Sequence, residues 1–99
     1  MNRSQIVAVV VGLGIAVPSV ADGPAVAGAL RVVGYPAALF VIVRWLPVVR
    51  QRITSLFLLH EAAMAAIAVG WALVPRWSGA AINGAWGVIA AGWYLRRRP

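Results

Sequence analysis

Cysteine and lysine are absent from the 99 residues, and only two acidic side chains occur, Asp22 and Glu61. Without cysteine there are no disulfides, no thiolate metal sites and no cysteine nucleophile. With two carboxylates and one histidine, His60, neither a metal cluster nor a Ser-His-Asp set can be assembled. The chain is therefore not read as an enzyme, and no cofactor is implied. Charged residues make up 11% of the chain against about 25% in soluble domains, while apolar residues reach 63% against roughly 45–50%. So short a chain has too much surface for its volume to hide that excess. A soluble monomer and a disordered chain both fit poorly. Lipid is the solvent this composition calls for.

The formal net charge of +7 comes from nine arginines. They form no basic face on a polar domain but stand between and beside long apolar runs, as topology signals and interfacial anchors do. Nucleic acid is accordingly not expected as a partner. Gly12-Leu13-Gly14 lacks the third glycine and the strand–helix setting of a dinucleotide loop and carries no function.

Four apolar segments are legible, at about 6–21, 25–43, 53–74 and 78–95. A spanning helix needs about 20 residues, and backbone in lipid must satisfy its own hydrogen bonds. The expected fold is all-α: one transmembrane domain over residues 1–99, a four-helix membrane bundle with a basic tail at 96–99. If all four segments cross with the N-terminus cytoplasmic, the inner side collects Arg3, then Arg44, Arg50 and Arg52, then Arg96, Arg97 and Arg98. The outer side then keeps Arg76, with Arg31 and Asp22 near it. The positive-inside bias selects this orientation, in the cytoplasmic membrane of a bacterial cell, and the tryptophans near the segment ends agree with it. The first segment has a second reading. Arg3, the apolar core 6–17 and Ser19-Val20-Ala21 also match a secretory signal peptide, whose removal leaves three helices. Ala8, Gly12 and Ala16 form a small-residue stripe suited to helix packing; the uncleaved form is the expectation.

Two faces stand out. In the last segment Ala80, Gly84, Gly87 and Ala91 form a small-residue side opposite Ile82, Trp86, Ile89 and Trp93, giving a packing face and a lipid face. In the third, Glu61 shares a side with Thr54, Ala65, Ala68 and Ala72, so it should point at neighbouring helices. A carboxylate at membrane depth costs about 2.5–3.5 kcal/mol on insertion scales and marks a functional site by default. Two roles stand level for it: a satisfied contact to Arg31, Asn83 or a backbone group, or a pore-lining or proton-sensing group. His60 lies about 100° around the helix from Glu61, so the two form no preformed dyad. For His60 a structural role is expected.

With a minimal N-terminal tail, a Gly/Ala-bearing first segment, several spans and the Arg96-Arg97-Arg98 cluster, the chain resembles phage holins along its whole length. That resemblance implies a homo-oligomer that opens lesions in the host's inner membrane during cell lysis. The other reading is a non-catalytic accessory or scaffold subunit packed against a larger membrane complex. In both, the lipid bilayer is a partner.

Overall fold

A computed structural model describes residues 2–74 and 76–96. In chain order these form α1 (Arg3–Ala16), a 3₁₀ turn (Val17–Ala21), α2 (Ala25–Ile42), α3 (Trp45–Arg50), α4 (Thr54–Ala72) and α5 (Trp77–Arg96). The described residues contain no strand, and the fold is all-helical. Arg97, Arg98 and Pro99 of the expected tail lie outside the described residues.

The helix ends follow local chemistry. Asn2 Oδ1 accepts the Gln5 N–H at 2.9 Å while Gln5 Oε1 accepts the Asn2 N–H at 3.3 Å, a reciprocal cap that satisfies two N–H groups at the start of α1. At the other end Pro18 cannot donate to the preceding turn. The chain tightens into the 3₁₀ turn, where Ser19 Oγ donates to the Ala16 carbonyl at 2.7 Å. Gly23, at φ +86°, then reverses the chain into Pro24, which precedes α2. The arginine-bearing connector 44–52, between the second and third apolar segments, contains the short helix α3. Its Trp45, Val48 and Val49 follow helical spacing and turn into the core, leaving Arg44 and Arg50 outside.

Each long helix packs on the next: α1 on α2, α2 on α4, α4 on α5. The molecule measures 43 × 28 × 17 Å. Neighbouring helix axes lie about 8–10 Å apart and a helix with its side chains is about 10–12 Å across, so a molecule 28 Å wide and 17 Å thick is a curled row, thicker than a single helix. Within the bundle the contact order is α1, α2, α4, α5, with α1 and α5 at the two ends of the row. The row curls enough for Trp86 of α5 to reach the side chains of α2 across α4.

Glycine makes the row tight. A Cβ at Gly12 would lie 2.6 Å from Pro36 Cα, and one at Gly34 would lie 2.9 Å from the Ala63 carbonyl. Gln5, Ala8, Gly12 and Ala16 are the buried residues of α1, so the expected small-residue stripe is the α1 contact face.

So small a bundle cannot bury all of its apolar side chains. Ile6, Val10 and Ile15 of α1 stand out from the structure, as do Ile82 and Val88 of α5, which are 70% and 74% exposed. A surface this apolar belongs in lipid. Among the described residues three helical stretches are long and apolar enough to cross a membrane: Arg3–Ala21, Ala25–Ile42 and Thr54–Ala72. α5 matches them in length, but Asn83, three tryptophans and four glycines lower its mean hydropathy.

Candidate functional site

Of the four polar residues singled out from the sequence, Arg31 stands apart, whereas His60 lies 3.6 Å from Glu61 and lines one cavity with Asn83.

Arg31 lies two turns into α2 and is wholly buried. Nε donates to Ser19 Oγ at 3.1 Å, Nη2 to the Ser19 and Asp22 carbonyls at 2.8 and 3.0 Å, and Nη1 to the Gly70 carbonyl at 2.6 Å. The guanidinium also lies 4.5 Å above the centre of the Trp71 ring. Gly70 is in the last turn of α4, whose carbonyls lack helical donors; the Val74 N–H bonds to Trp71 instead. Ser19 sits where the first span ends. Arg31 therefore places a cation on the negative ends of two helices at once. The close fit requires Gly70, because a Cβ there would meet Arg31 Cγ at 2.8 Å. Asp22 turns its carboxylate outward to Arg76 at 3.9 Å, a solvent-side pair worth little.

His60 is also wholly buried, between Trp45 and Trp86. Trp86 Nε1 donates to His60 Nε2 at 3.1 Å. An indole N–H can only donate, so Nε2 carries the lone pair and the neutral ring holds its proton on Nδ1. Nδ1 stands 3.6 Å from Glu61 Oε1, beyond hydrogen-bond length, and both atoms are buried without a partner, as is Trp45 Nε1. The two side chains leave α4 in different directions. His60 lines a cavity of about 160 Å³ with Tyr35 and Asn83, whereas Glu61 lines a groove of about 360 Å³ between α4 and α5.

That groove joins the two faces read from sequence. Glu61, Ala65 and Ala68 line it from α4, and Gly84, Gly87 and Ala91 from α5; Ala80, Thr54 and Ala72 do not. Glu61 Oε2 lies 3.5 Å from where a Gly87 Cβ would stand, while a Cβ at Gly84 would meet nothing within 4 Å. The side of α5 actually buried against the row is Gly87, Ala90 and Tyr94, a rotation of about 55–60° from the expected packing face at 100° per residue. Trp86, expected on the lipid side, turns inward to His60. Neither expected partner of Glu61 reaches it: Arg31 is engaged as above, and Asn83 Nδ2 donates to the Gly79 carbonyl at 2.7 Å.

Of the expected basic anchors, Arg44, Arg50 and Arg96 are exposed at one end of the row, and Arg97 and Arg98 lie outside the described residues. Arg52 does more than anchor. Its backbone takes φ 53°, and its Nη1 donates to the Tyr94 carbonyl at 2.8 Å while the guanidinium covers the Tyr94 ring. Tyr94 in turn stacks on Phe57 at 3.8 Å and shares a hydrogen bond with Thr54. This clasp between the start of α4 and the end of α5 had no sequence signal beyond the aromatic residues themselves. The Trp45–His60–Trp86 contact had a partial one, in the helical spacing of Trp45, Val48 and Val49.

No protein-family model, curated protein or solved structure matches this chain.

Proposed function

We propose that this protein spans the bacterial inner membrane four times, with both termini cytoplasmic, and acts by lateral self-assembly as a holin-like permeabilising protein. The observation that carries this reading is the α4/α5 groove. It opens on the surface of the row, its walls are small residues, and it is lined by the Glu61 carboxylate, whose buried Oε1 accepts no hydrogen bond. Small residues admit a neighbouring helix closely, and an intramembrane carboxylate favours either a polar partner or a hydrated lumen. In one copy this groove stands open at the surface, so an enclosed hydrated path requires several copies.

The four-span count is supported by the length of α5 and by its packing on α4. Orientation rests on charge, since five described arginines gather at the end that holds Arg3 and Arg96. Retention of the first segment is supported by Arg31, which binds the Ser19 and Asp22 carbonyls on either side of Ala21. Cleavage there would part Arg31 from its Ser19 contacts.

The accessory-subunit reading is favoured by one feature, the row with two broad apolar faces, onto which a larger membrane protein could pack. Inducible expression in bacteria separates the two. The permeabilising reading expects collapse of membrane potential and arrested growth as the wild-type protein accumulates. Glu61→Gln should shift the onset of leakage, and Glu61→Leu should suppress it. Sustained growth with intact potential at high membrane-inserted levels of wild type would leave the accessory role.

A further inference from the structure

We propose that the groove between α1 and α2 is a binding site for an anionic phospholipid, with the phosphate at Arg3 and one acyl chain lying along Val7 and Val11. The groove has a volume of about 510 Å³. Arg3 and Ser4 stand at its mouth, and the rest of its lining is aliphatic, with Leu39 and Val43 forming the α2 wall. It exists because the α1 contact face is made of small residues: Ala8 forms its buried floor and has only a methyl group to fill it. From Arg3 to Val11 the groove runs about 12 Å along α1 at 1.5 Å per residue. One leaflet of a bilayer has about 15 Å of hydrocarbon, half of the 30 Å core. A chain descending from headgroup level thus meets apolar wall over most of its leaflet.

The charge at the mouth selects the headgroup. Both acidic side chains of the protein are elsewhere, Asp22 beside Arg76 at the opposite end and Glu61 in the span of α4. Arg3, Arg44, Arg50, Arg52 and Arg96 therefore share one end of the row with no side-chain carboxylate among them. Arg52 is committed to Tyr94, whereas Arg3 makes no ion pair or hydrogen bond with any described residue. An anionic phosphate supplies the missing counter-charge, and the Ser4 hydroxyl beside it supplies a further donor. A second copy of the chain is a poor occupant of this groove, since it would bring like charge to the same mouth.

The test uses the purified full chain in mild detergent, titrated with phosphatidylglycerol or phosphatidylcholine of identical acyl chains, with lipid adducts counted by native mass spectrometry. Wild type should prefer phosphatidylglycerol by about fivefold, the effect of one basic residue at an anionic surface. Arg3→Gln should abolish that preference, while Arg50→Gln, which removes an equal charge from the same end, should keep it. Val11→Trp fills the groove from a half-exposed position and should weaken both lipids. The proposal is overturned if wild type shows no preference, if Arg50→Gln lowers it as much as Arg3→Gln, or if folded Val11→Trp binds both lipids unchanged. If Val11→Trp fails to fold, the comparison of Arg3→Gln with Arg50→Gln still decides.

Discussion

One substitution made at two glycines should have opposite effects on stability. Replacing glycine by alanine inside a helix ordinarily stabilises it by about 0.8–1.0 kcal/mol, through backbone entropy alone. At Gly84 the new methyl group would meet nothing within 4 Å, so Gly84→Ala should gain up to that amount. At Gly12 the methyl would stand 2.6 Å from both Pro36 Cα and Pro36 N, and 2.9 Å from the Tyr35 carbonyl carbon. All three are backbone atoms of α2 and cannot rotate away, so α1 must move off α2. Overpacking of this kind costs about 1–3 kcal/mol, and the rigid contact puts Gly12→Ala in the upper part of that range. With the propensity gain subtracted, Gly12→Ala should lose about 1–2 kcal/mol. Because propensity enters both variants equally, the difference between them, about 2–3 kcal/mol, reports the α1–α2 contact itself. The assay is unfolding in mixed micelles by titration with a denaturing detergent, followed by helical circular dichroism. Equal stability of the two variants would mean that α1 does not pack on α2 through Gly12, and the order of the row would have to be redrawn.

Two further substitutions address the buried polar groups. Arg31→Leu leaves the Gly70 and Asp22 carbonyls without their arginine donor, at about 1–3 kcal/mol for each buried acceptor. It should loosen residues 17–24, so limited proteolysis of the detergent-solubilised protein should cut there faster than in wild type; an unchanged digest would deny Arg31 its role as a clamp. Trp86→Phe removes the donor to His60 Nε2 and should cost about 1–3 kcal/mol in the same unfolding assay, with partial recovery when His60→Phe is added, since removing both partners leaves no orphan. Additive losses in the double variant would rule out that hydrogen bond.

Periodicity made the helices and their faces legible. The Ala8, Gly12, Ala16 stripe is the contact face of α1, and the Glu61 side of α4 meets the Gly84, Gly87, Ala91 side of α5 across a groove. What periodicity could not supply was the order of helices, and with it the choice of partners. Arg31 and Glu61 are opposite charges inside neighbouring apolar segments, which made them natural partners on paper. In the row, Arg31 instead finds helix-terminal carbonyls that no residue pattern announces. The rotation of α5 has a similar cause. Trp86 looked like a lipid-facing residue of a bulky stripe, but its indole N–H needs an acceptor, and His60 offers one across the helix interface. The connector between α2 and α4 carries its arginines outward while the apolar residues between them fold it onto the core.

The claim on which the rest depends is that the row crosses the membrane four times with both termini inside. Because the chain has no native cysteine, single cysteines can be placed at Asp22, Gln51, Ser78 and Pro99 and probed in intact cells with a membrane-impermeant thiol reagent. The account predicts labelling at positions 22 and 78 from outside, and at 51 and 99 only after the membrane is permeabilised. Labelling of Pro99→Cys together with Ser78→Cys in intact cells would show that α5 does not cross, and labelling of Gln51→Cys but not Ser78→Cys would invert the whole assignment.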